Sequence, residues 1–152
     1  MEIERKFLIR TLPDHLDNYD SHLIEQGYLC TDPVVRIRRQ DDDFILTYKG
    51  RGLMTREEYN LPLTQQSYEH LRQKIDGNLI CKRRYLIPLD DGLTIELDLF
   101  HAPFEWLRMA EVEFPSEEAA NAFTPPAWFD REVTFDKRFH NSHLSQMDPA
   151  MQ

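Results

Sequence analysis

Short stretches in which apolar and polar residues alternate recur along most of the chain. This period of two is typical of β-strands, because successive side chains of a strand point to opposite faces. Clusters such as Asp41-Asp42-Asp43 and Asp90-Asp91-Gly92 separate the stretches and predict hairpin turns. The pattern predicts eight strands, at about residues 2–9, 22–29, 34–40, 43–50, 55–62, 79–88, 93–100 and 106–114.

Three segments predict helices, at about residues 64–75, 116–123 and 136–146. Ser116 is a typical capping residue for the second of them. Many short strands with few helices predict an α+β fold that is mainly antiparallel β, with the sheet curled toward a barrel. No linker or internal repeat interrupts the 152 residues. We therefore expect a single domain over 1–152, with the C-terminal helix docked at or near the barrel.

Charged residues on one face of these strands are sorted by sign. Acidic pairs come from three strands and basic pairs from two, namely Glu2/Glu4, Glu96/Asp98, Glu111/Glu113, Arg36/Arg38 and Lys82/Arg84. For a single strand, the ordinary explanation is a solvated face opposite a core face. A surface adapted for solubility, however, intersperses the two signs. The sorted pairs favour a site that holds anion and cation together, with a charged lumen if the sheet closes around this face.

Composition limits the partners. Lysine and arginine number 18 and aspartate and glutamate 27, which gives a net charge of −9 and argues against nucleic acids and anionic membranes as partners. No apolar stretch has the length of a membrane helix, and the charged start Met1–Lys6 lacks the apolar core of a signal peptide. Only two cysteines, Cys30 and Cys81, are present, which is typical of a cytoplasmic protein.

The charged pairs indicate phosphate chemistry. Arginine presents a planar fork to phosphate oxygens, and paired carboxylates favour hard cations such as Mg²⁺ or Mn²⁺. Together they predict metal-assisted phosphoryl transfer. The sequence contains no P-loop, G-x-S-x-G or C-x-x-C motif. We interpret His140 and His143 as a solvated helix face, and Trp106 and Trp128 as packing residues.

Five ordered motifs resemble the CYTH domain, or triphosphate tunnel metalloenzyme, superfamily, and its short bacterial members in particular. They are Glu2-Ile3-Glu4-Arg5-Lys6, Arg36-Ile37-Arg38, Thr47-Tyr48-Lys49-Gly50, Glu96-Leu97-Asp98 and Glu111-Val112-Glu113. The resemblance implies an eight-stranded antiparallel β-barrel, a tunnel with a charged lumen and helices packed outside. It further implies a bound triphosphate with one or two Mg²⁺ or Mn²⁺ ions.

The resemblance also implies roles for individual residues. The metal ligands would be drawn from Glu2, Glu4, Glu96, Asp98, Glu111 and Glu113. The phosphate-binding positions would be Lys6, Arg36, Arg38, Lys49, Lys82 and Arg84. The family often has R-x-E-x-E where this chain has Arg56-Glu57-Glu58-Tyr59-Asn60, so Asn60 replaces the second acid. Arg56 and Glu58 either face the lumen, where Arg56 would join the phosphate-binding set, or form a salt bridge at the rim.

The activity implied for a short bacterial member is hydrolysis of inorganic triphosphate to diphosphate and phosphate. Either Glu58 or a desolvated Lys82 would accept the proton of the attacking water. Three alternatives are catalytic: thiamine triphosphatase, nucleoside triphosphatase and adenylyl cyclase. A fourth is a polyphosphate-binding module without turnover. The partner would be a small triphosphate in each case, and a homodimer is a further expectation.

Overall fold

The structure is a computed structural model that describes residues 1–149. Ten strands and three short α-helices are present in this range. The strands are β1 (Glu2–Ile9), β2 (Ser21–Thr31), β3 (Val34–Gln40), β4 (Asp43–Lys49), β5 (Thr55–Arg56), β6 (Glu58–Pro62), β7 (Asp76–Pro88), β8 (Thr94–Phe100), β9 (Arg108–Glu113) and β10 (Phe129–Glu132). The helices are α1 (Gln65–Arg72), α2 (Glu117–Ala122) and α3 (Asn141–Leu144).

The strands form one antiparallel sheet that almost closes into a barrel. Their order is β10-β1-β9-β8-β7-β2-β3-β4-β6. One residue before β6, the short strand β5 pairs with β1 through Arg56 opposite Glu2 and Thr55 opposite Ile3. The ribbon of β5 and β6 therefore connects β4 on one side with β1 on the other. The predicted fold class, a mainly antiparallel barrel with few helices, is confirmed.

Two apolar clusters lie on opposite faces of the sheet. The outer cluster contains Phe7, Leu97, Val112 and Phe114, together with Ala120 of α2. Helix α1 also lies outside, where the buried Tyr68 ring contacts Phe44 at 5.2 Å between ring centroids. Helices α1 and α2 thus cover the apolar outer face, as predicted, and the charged face is left to the interior.

The inner cluster fills one end of the barrel. Ile80, Phe100 and Met109 belong to it and occupy the same strand faces as the charged residues. Phe104 and Leu107, in the connection between β8 and β9, complete this packing. The barrel interior is therefore apolar at one end and charged along the rest.

The predicted continuous helix at 136–146 is wrong. A 3₁₀ turn spans Lys137–Phe139 and α3 covers Asn141–Leu144. Between them the backbone of His140 is extended, with φ −81° and ψ 142°, and its Nε2 lies 3.1 Å from the carbonyl oxygen of Thr134. This segment docks on the barrel, where the Asn78 side chain donates to the carbonyl oxygens of Leu144 and Met147.

The strands also differ from expectation. The predicted strand at 55–62 is interrupted at Glu57. The residues before Glu57 pair with β1, and the residues after it pair with β4. Strand β10 was not predicted, because four residues after a Pro-rich stretch give too little alternation to detect. Within residues 1–149, no helix has the length and apolar character needed to cross a membrane.

Candidate active site

The interior of the barrel is a charged cavity of about 120 Å³. Almost every charged side chain predicted for the site lines it. These are Glu2, Glu4, Lys6, Arg36, Arg38, Lys49, Arg56, Glu58, Lys82, Arg84, Glu96, Glu111 and Glu113. The alternation of the strands therefore brings the sorted charges together in one enclosed space, and Arg56 and Glu58 face the lumen rather than only the rim.

Strand register explains how acids and bases come to occupy different walls. Strands β1, β9 and β8 are neighbours, and Glu4 lies opposite Glu113 and Glu96 opposite Glu111. The basic pair Arg36/Arg38 lies on β3, on the other side of β2 from β7. Residues that face each other across a ladder share one face of the sheet, so the acids collect on one wall. Lys6, opposite Glu111, is a cation within this acidic wall.

Arg36 and Arg38 differ from the other lumen cations of residues 1–149. Neither forms a salt bridge with an acid in residues 1–149, and the Nε of each is buried without a hydrogen-bond acceptor there. Burial, followed by the charges of Arg36 and Arg84, lowers the pKa of Arg38 to about 10. Two neighbouring guanidinium groups whose Nε atoms are buried create a strong preference for an anionic guest.

Glu2 and Glu58 form a carboxyl pair around Lys49. The Nζ of Lys49 lies 2.8 Å from Oε1 of Glu2 and 3.7 Å from Oε2 of Glu58. Burial, together with a hydrogen bond to Glu58, raises the pKa of Glu2 to about 8. Burial also acts on Glu58, but the hydrogen bond from Glu2 and the charge of Lys49 outweigh it and lower its pKa to about 2. Glu2 therefore holds a proton more readily than Glu58 does.

Asn60, the residue in place of an expected acid, orients Glu58. Its Nδ2 donates to Oε1 of Glu58 at 2.9 Å, and its Oδ1 accepts from Oγ1 of Thr47 at 2.7 Å. An aspartate could not donate the first of these bonds. The amide therefore fixes the carboxylate without adding a further negative charge beside it.

Asp98 lies behind the wall of the cavity rather than in it. It is fully buried, and Arg84 donates to both of its oxygens, from Nε at 2.8 Å and from a terminal nitrogen at 2.9 Å. The Nζ of Lys82 lies 2.7 Å from Oδ2. Burial lowers the pKa of Lys82 to about 8, and the charge of Asp98 offsets this only in part. The structure thus gives Asp98 two cationic partners, whereas the family resemblance implied a metal ligand there.

The remaining acids suit a hard divalent cation. Glu4 and Glu111 flank Lys6, whose Nζ lies 3.7 Å from the first and 3.9 Å from the second. Among the described residues, no three His, Cys, Asp or Glu side chains converge closely enough to hold an ion by themselves. This donor set fits a magnesium-type ion, which takes one or two carboxylates and completes its shell with water and phosphate oxygens.

Sequence reasoning missed several residues that line the cavity, namely Gln26, Tyr28, His140, Asn141 and Ser142. The assignment of His140 to a solvated helix face is wrong, because the extended backbone turns it toward the lumen. Burial, followed by the charge of Lys6, lowers the pKa of His140. His143 is exposed, as predicted. Gln26 offered a signal, since it interrupts the apolar face of a strand between Ile24 and Tyr28.

Comparison with known proteins agrees with this arrangement. The family profile of the CYTH domain matches residues 1–114. The chain is 41% identical over 151 residues to an inorganic triphosphatase of Nitrosomonas europaea, covering 97% of this chain and 99% of the relative. It is 38% identical over 152 residues to an inorganic triphosphatase of Acetivibrio thermocellus, covering 94% and 92%.

A crystal structure of an inorganic triphosphatase superimposes with a TM-score of 0.73 at 39% identity. The superposition covers 98% of this chain and 97% of the other. The family profile alone accounts for more than half of the chain, and both relatives align along nearly their whole length. The chain belongs to the CYTH domain family.

Proposed function

We propose that the protein hydrolyses inorganic triphosphate to diphosphate and phosphate. The observation that carries the proposal is the pair Arg36 and Arg38, two guanidinium groups in the lumen whose Nε atoms are buried and which have no acidic partner within residues 1–149. A polyphosphate chain supplies several anionic oxygens within the reach of such groups. The two relatives named inorganic triphosphatase, similar to this chain along nearly its whole length, support the same substrate.

The cations of the lumen would bind and align the chain of phosphates. Arg36 and Arg38 are free to donate to phosphate oxygens, and Arg84 is held in one orientation by Asp98. Fixing both the anion and the attacking water in one geometry converts binding energy into rate. We therefore assign Asp98 the role of a positioning residue for Arg84 and Lys82.

Both oxygens of Glu2 accept from Nζ of Lys49. A divalent cation, Mg²⁺ or Mn²⁺, would be held by the other members of the acidic wall, through Glu4, Glu111 and Glu113. When bound, it supplies charge neutralisation and polarisation of the phosphate oxygens. Glu96 is engaged elsewhere, since its Oε2 accepts from Arg84 at 2.8 Å. The role of Lys6 between Glu4 and Glu111 is to moderate the repulsion of these acids while leaving their oxygens facing the lumen.

Two groups stay open as the acceptor of the water proton, and the pH profile distinguishes them. Lys82 must be neutral to act as a base, so the rate would rise with pH toward its pKa of about 8. Glu58 is ionised well below neutral pH, so the rate would be flat across this range. The profile of kcat between about pH 6 and 9 in wild type and Glu58→Gln separates the two cases.

Inorganic triphosphate is favoured over organic triphosphates by the lining of the cavity. Trp128 and Phe129 pack with the outer apolar cluster, and Trp106 packs against the inner one. Within residues 1–149, Tyr28 is the aromatic side chain of the lumen. A base or thiazole ring would thus find little to stack on.

A phosphate-release assay tests the proposal. Tripolyphosphate, thiamine triphosphate and nucleoside triphosphates are compared side by side with each divalent metal, and cyclic AMP is measured in parallel. We expect tripolyphosphate to give the highest kcat/KM. Release from an organic substrate alone would overturn the assignment, and tight binding of tripolyphosphate without any release would favour the polyphosphate-binding module.

Substitutions on one strand provide a matched pair. Arg38→Gln removes a lumen guanidinium and should lower kcat/KM about 10- to 100-fold, the worth of one or two charged hydrogen bonds. Arg39→Gln on the same strand changes an exposed guanidinium that donates to the carbonyl oxygen of Asp41. It should leave kcat/KM unchanged. Equal effects of the two substitutions would contradict the site.

Location and assembly also remain proposals. Cys30 and Cys81 are free thiols, which supports a reducing cytoplasm. The homodimer stays a prediction that size-exclusion chromatography with light scattering can check.

A further inference from the structure

Gln26 is a buried amide in the lumen that has no partner. Its side chain is 0% exposed, and neither its Oε1 nor its Nε2 has a hydrogen-bond partner among residues 1–149. A buried amide without partners is costly to a folded protein, since it gives up water and gains nothing in return. Because Gln26 also lines the charged cavity, its missing partners are best supplied by what binds there.

Its position is between the two strands that carry the basic pairs. Gln26 lies on β2, opposite Arg38 of β3 on one side and Ile80 of β7 on the other. The Nε of Arg38, its partner across the ladder, is likewise buried without an acceptor. Two adjacent side chains with unused hydrogen-bonding atoms face the same part of the lumen. They indicate a guest that contacts both.

The chemistry of an amide narrows what that guest must offer. Oxygens of an ionised phosphate only accept hydrogen bonds, so they can satisfy Nε2 of Gln26 and Nε of Arg38 but not Oε1 of Gln26. The Oε1 atom needs a donor, and water is the donor that hydrolysis itself brings to this site. A bound phosphate together with one water molecule would satisfy the whole amide. An arginine side chain only donates hydrogen bonds and a carboxylate only accepts them. Neither group could therefore satisfy both Nε2 and Oε1 of Gln26.

We propose that Gln26 contacts both reactants, donating from Nε2 to a phosphate oxygen and accepting at Oε1 from the attacking water. This inference rests on the proposed function. The oriented water forms its bond to a terminal phosphorus while the bond from that phosphorus to the bridging oxygen breaks. The electron pair leaves with the diphosphate, and the second water proton passes to the general base. Gln26 itself neither gains nor loses a proton.

The decisive variant is Gln26→Met, which keeps the length of the side chain and removes both hydrogen-bonding atoms. If the amide serves the reactants, its loss should lower kcat at least about 10-fold while KM changes less than about 5-fold, because the water is oriented only for the chemical step. The melting temperature of the substrate-free protein should stay the same or rise, because an unsatisfied buried amide has been removed. Activity and stability therefore move in different directions. A purely structural glutamine would lose stability instead.

Two further variants sharpen the test. Gln26→Glu keeps the shape and the acceptor but places a negative charge beside the phosphates, so KM for tripolyphosphate should rise at least about 10-fold. Gln66→Met makes the same chemical change at an exposed position on α1 and should leave kcat, KM and melting temperature unchanged. An unchanged kcat and KM in Gln26→Met would overturn the inference while leaving the proposed function intact. A fall in its melting temperature with unchanged activity would do the same.

Calorimetric titration with tripolyphosphate keeps the two proposals separable. If the wild type binds tripolyphosphate but releases no phosphate, the proposed hydrolysis is wrong. The proposed contact between Gln26 and the attacking water is then wrong as well. In that case, a weakening of tripolyphosphate binding by about 2- to 5-fold in Gln26→Met would still support the phosphate contact. Equal binding by both proteins would overturn it.

Discussion

Asp98 is a carboxylate that its motif predicted as a metal ligand and that the structure places between two cations. It shares a strand face with Glu96, as the alternation requires, yet it is the deeper of the two and fully buried. Both of its oxygens are taken by Arg84 and Lys82. Spacing in a strand determines the face of a side chain but not its depth, because depth depends on the curvature of the sheet and on the neighbouring strands.

Asp98→Asn should therefore act mainly on stability. It removes the shared counter-ion of two buried cations, and breaking a buried pair in this way costs about 3–5 kcal/mol of the free energy of unfolding. Urea denaturation in the presence of a chelator measures this loss independently of any metal. Asp90→Asn, in the exposed turn between β7 and β8, is the control and should change little.

The outcome distinguishes a positioning residue from a ligand. As a positioning residue, Asp98→Asn lowers stability with or without divalent cations. If stability under chelation were unchanged and only the dependence of the rate on Mg²⁺ shifted, Asp98 would be a metal ligand and its positioning role would be wrong.

Glu132 offers a second test at the scale of one residue, through pH. Two hydrogen bonds from Arg5, at 2.9 and 2.7 Å, together with one from Thr134, lower the pKa of Glu132. A carboxyl with a depressed pKa stabilises the fold above its unfolded pKa of about 4.3, and this contribution is lost as the pH falls through the folded value. Glu132→Gln should cost less than about 1 kcal/mol at pH 7, because the pair is partly solvated.

Urea denaturation of wild type and Glu132→Gln at several pH values checks the sign. The two stabilities should differ at neutral pH and converge as the pH is lowered below about 4. The exposed Glu118→Gln on α2 is the control for losing a surface carboxylate. A difference that grew toward low pH would show that the ion pair is not the cause.

At the scale of elements, the C-terminal segment depends on one glycine. Gly77 has φ +84°, and a Cβ at this position would collide with the carbonyl oxygen of Ser145. The same segment brings His140, Asn141 and Ser142 to the lumen. A larger residue at position 77 should therefore disturb both stability and substrate binding.

Gly77→Ala and Gly92→Ala form a matched pair for this test. Gly92 has φ +83°, and a Cβ added there would meet nothing within 4 Å, so its replacement costs only the left-handed backbone, about 1–2 kcal/mol. Gly77→Ala should cost more, since Ser145 must also move, and it should raise KM. Equal losses of stability in the two variants would contradict the close docking of the segment.

The alternation of residues within strands was enough to predict most of the fold and the charged site. The C-terminal segment and Gln26 were not predicted, for physical reasons. The motif Arg36-Ile37-Arg38 needed no tertiary information, because a period of two already separates the guanidinium groups from Ile37. The C-terminal segment was different, since its helical spacing of histidines was overridden by docking on Asn78. Gln26 was overlooked because a neutral amide adds nothing to a pattern of charges. Its place on an apolar strand face was a signal, but its missing hydrogen-bond partners among residues 1–149 are seen only in three dimensions.

For the molecule as a whole, the net charge is negative, whereas the part of the site that would bind an anion is positive. The chain carries −9, so its long-range field repels an anionic substrate. Binding must then depend on short-range contacts with buried cations, where water and salt screen little. Arg36 and Arg38 repel each other until such a guest arrives. The substrate-free protein is consequently less stable than it could be.

Tripolyphosphate should therefore raise the melting temperature. At a concentration of about 100 times Kd, a ligand that binds only the native state adds about 2.7 kcal/mol. For a chain of this length, that corresponds to a rise of roughly 5–10 °C. Scanning calorimetry measures the rise in melting temperature under two conditions. With a chelator, no divalent metal is available for turnover. With Mg²⁺, the negative charge of the acidic wall is neutralised.

The controls separate a specific site from screening of the net charge. Sodium chloride at the same ionic strength also weakens the self-repulsion of an acidic protein, so it sets the baseline for any non-specific rise. Arg38→Gln keeps the net charge nearly unchanged but removes a lumen cation, so the rise above that baseline should shrink in this variant and persist in Arg39→Gln. A rise that chloride reproduced in full, or that Arg38→Gln left intact, would mean that the anion acts on the surface and that the enclosed cations do not bind it.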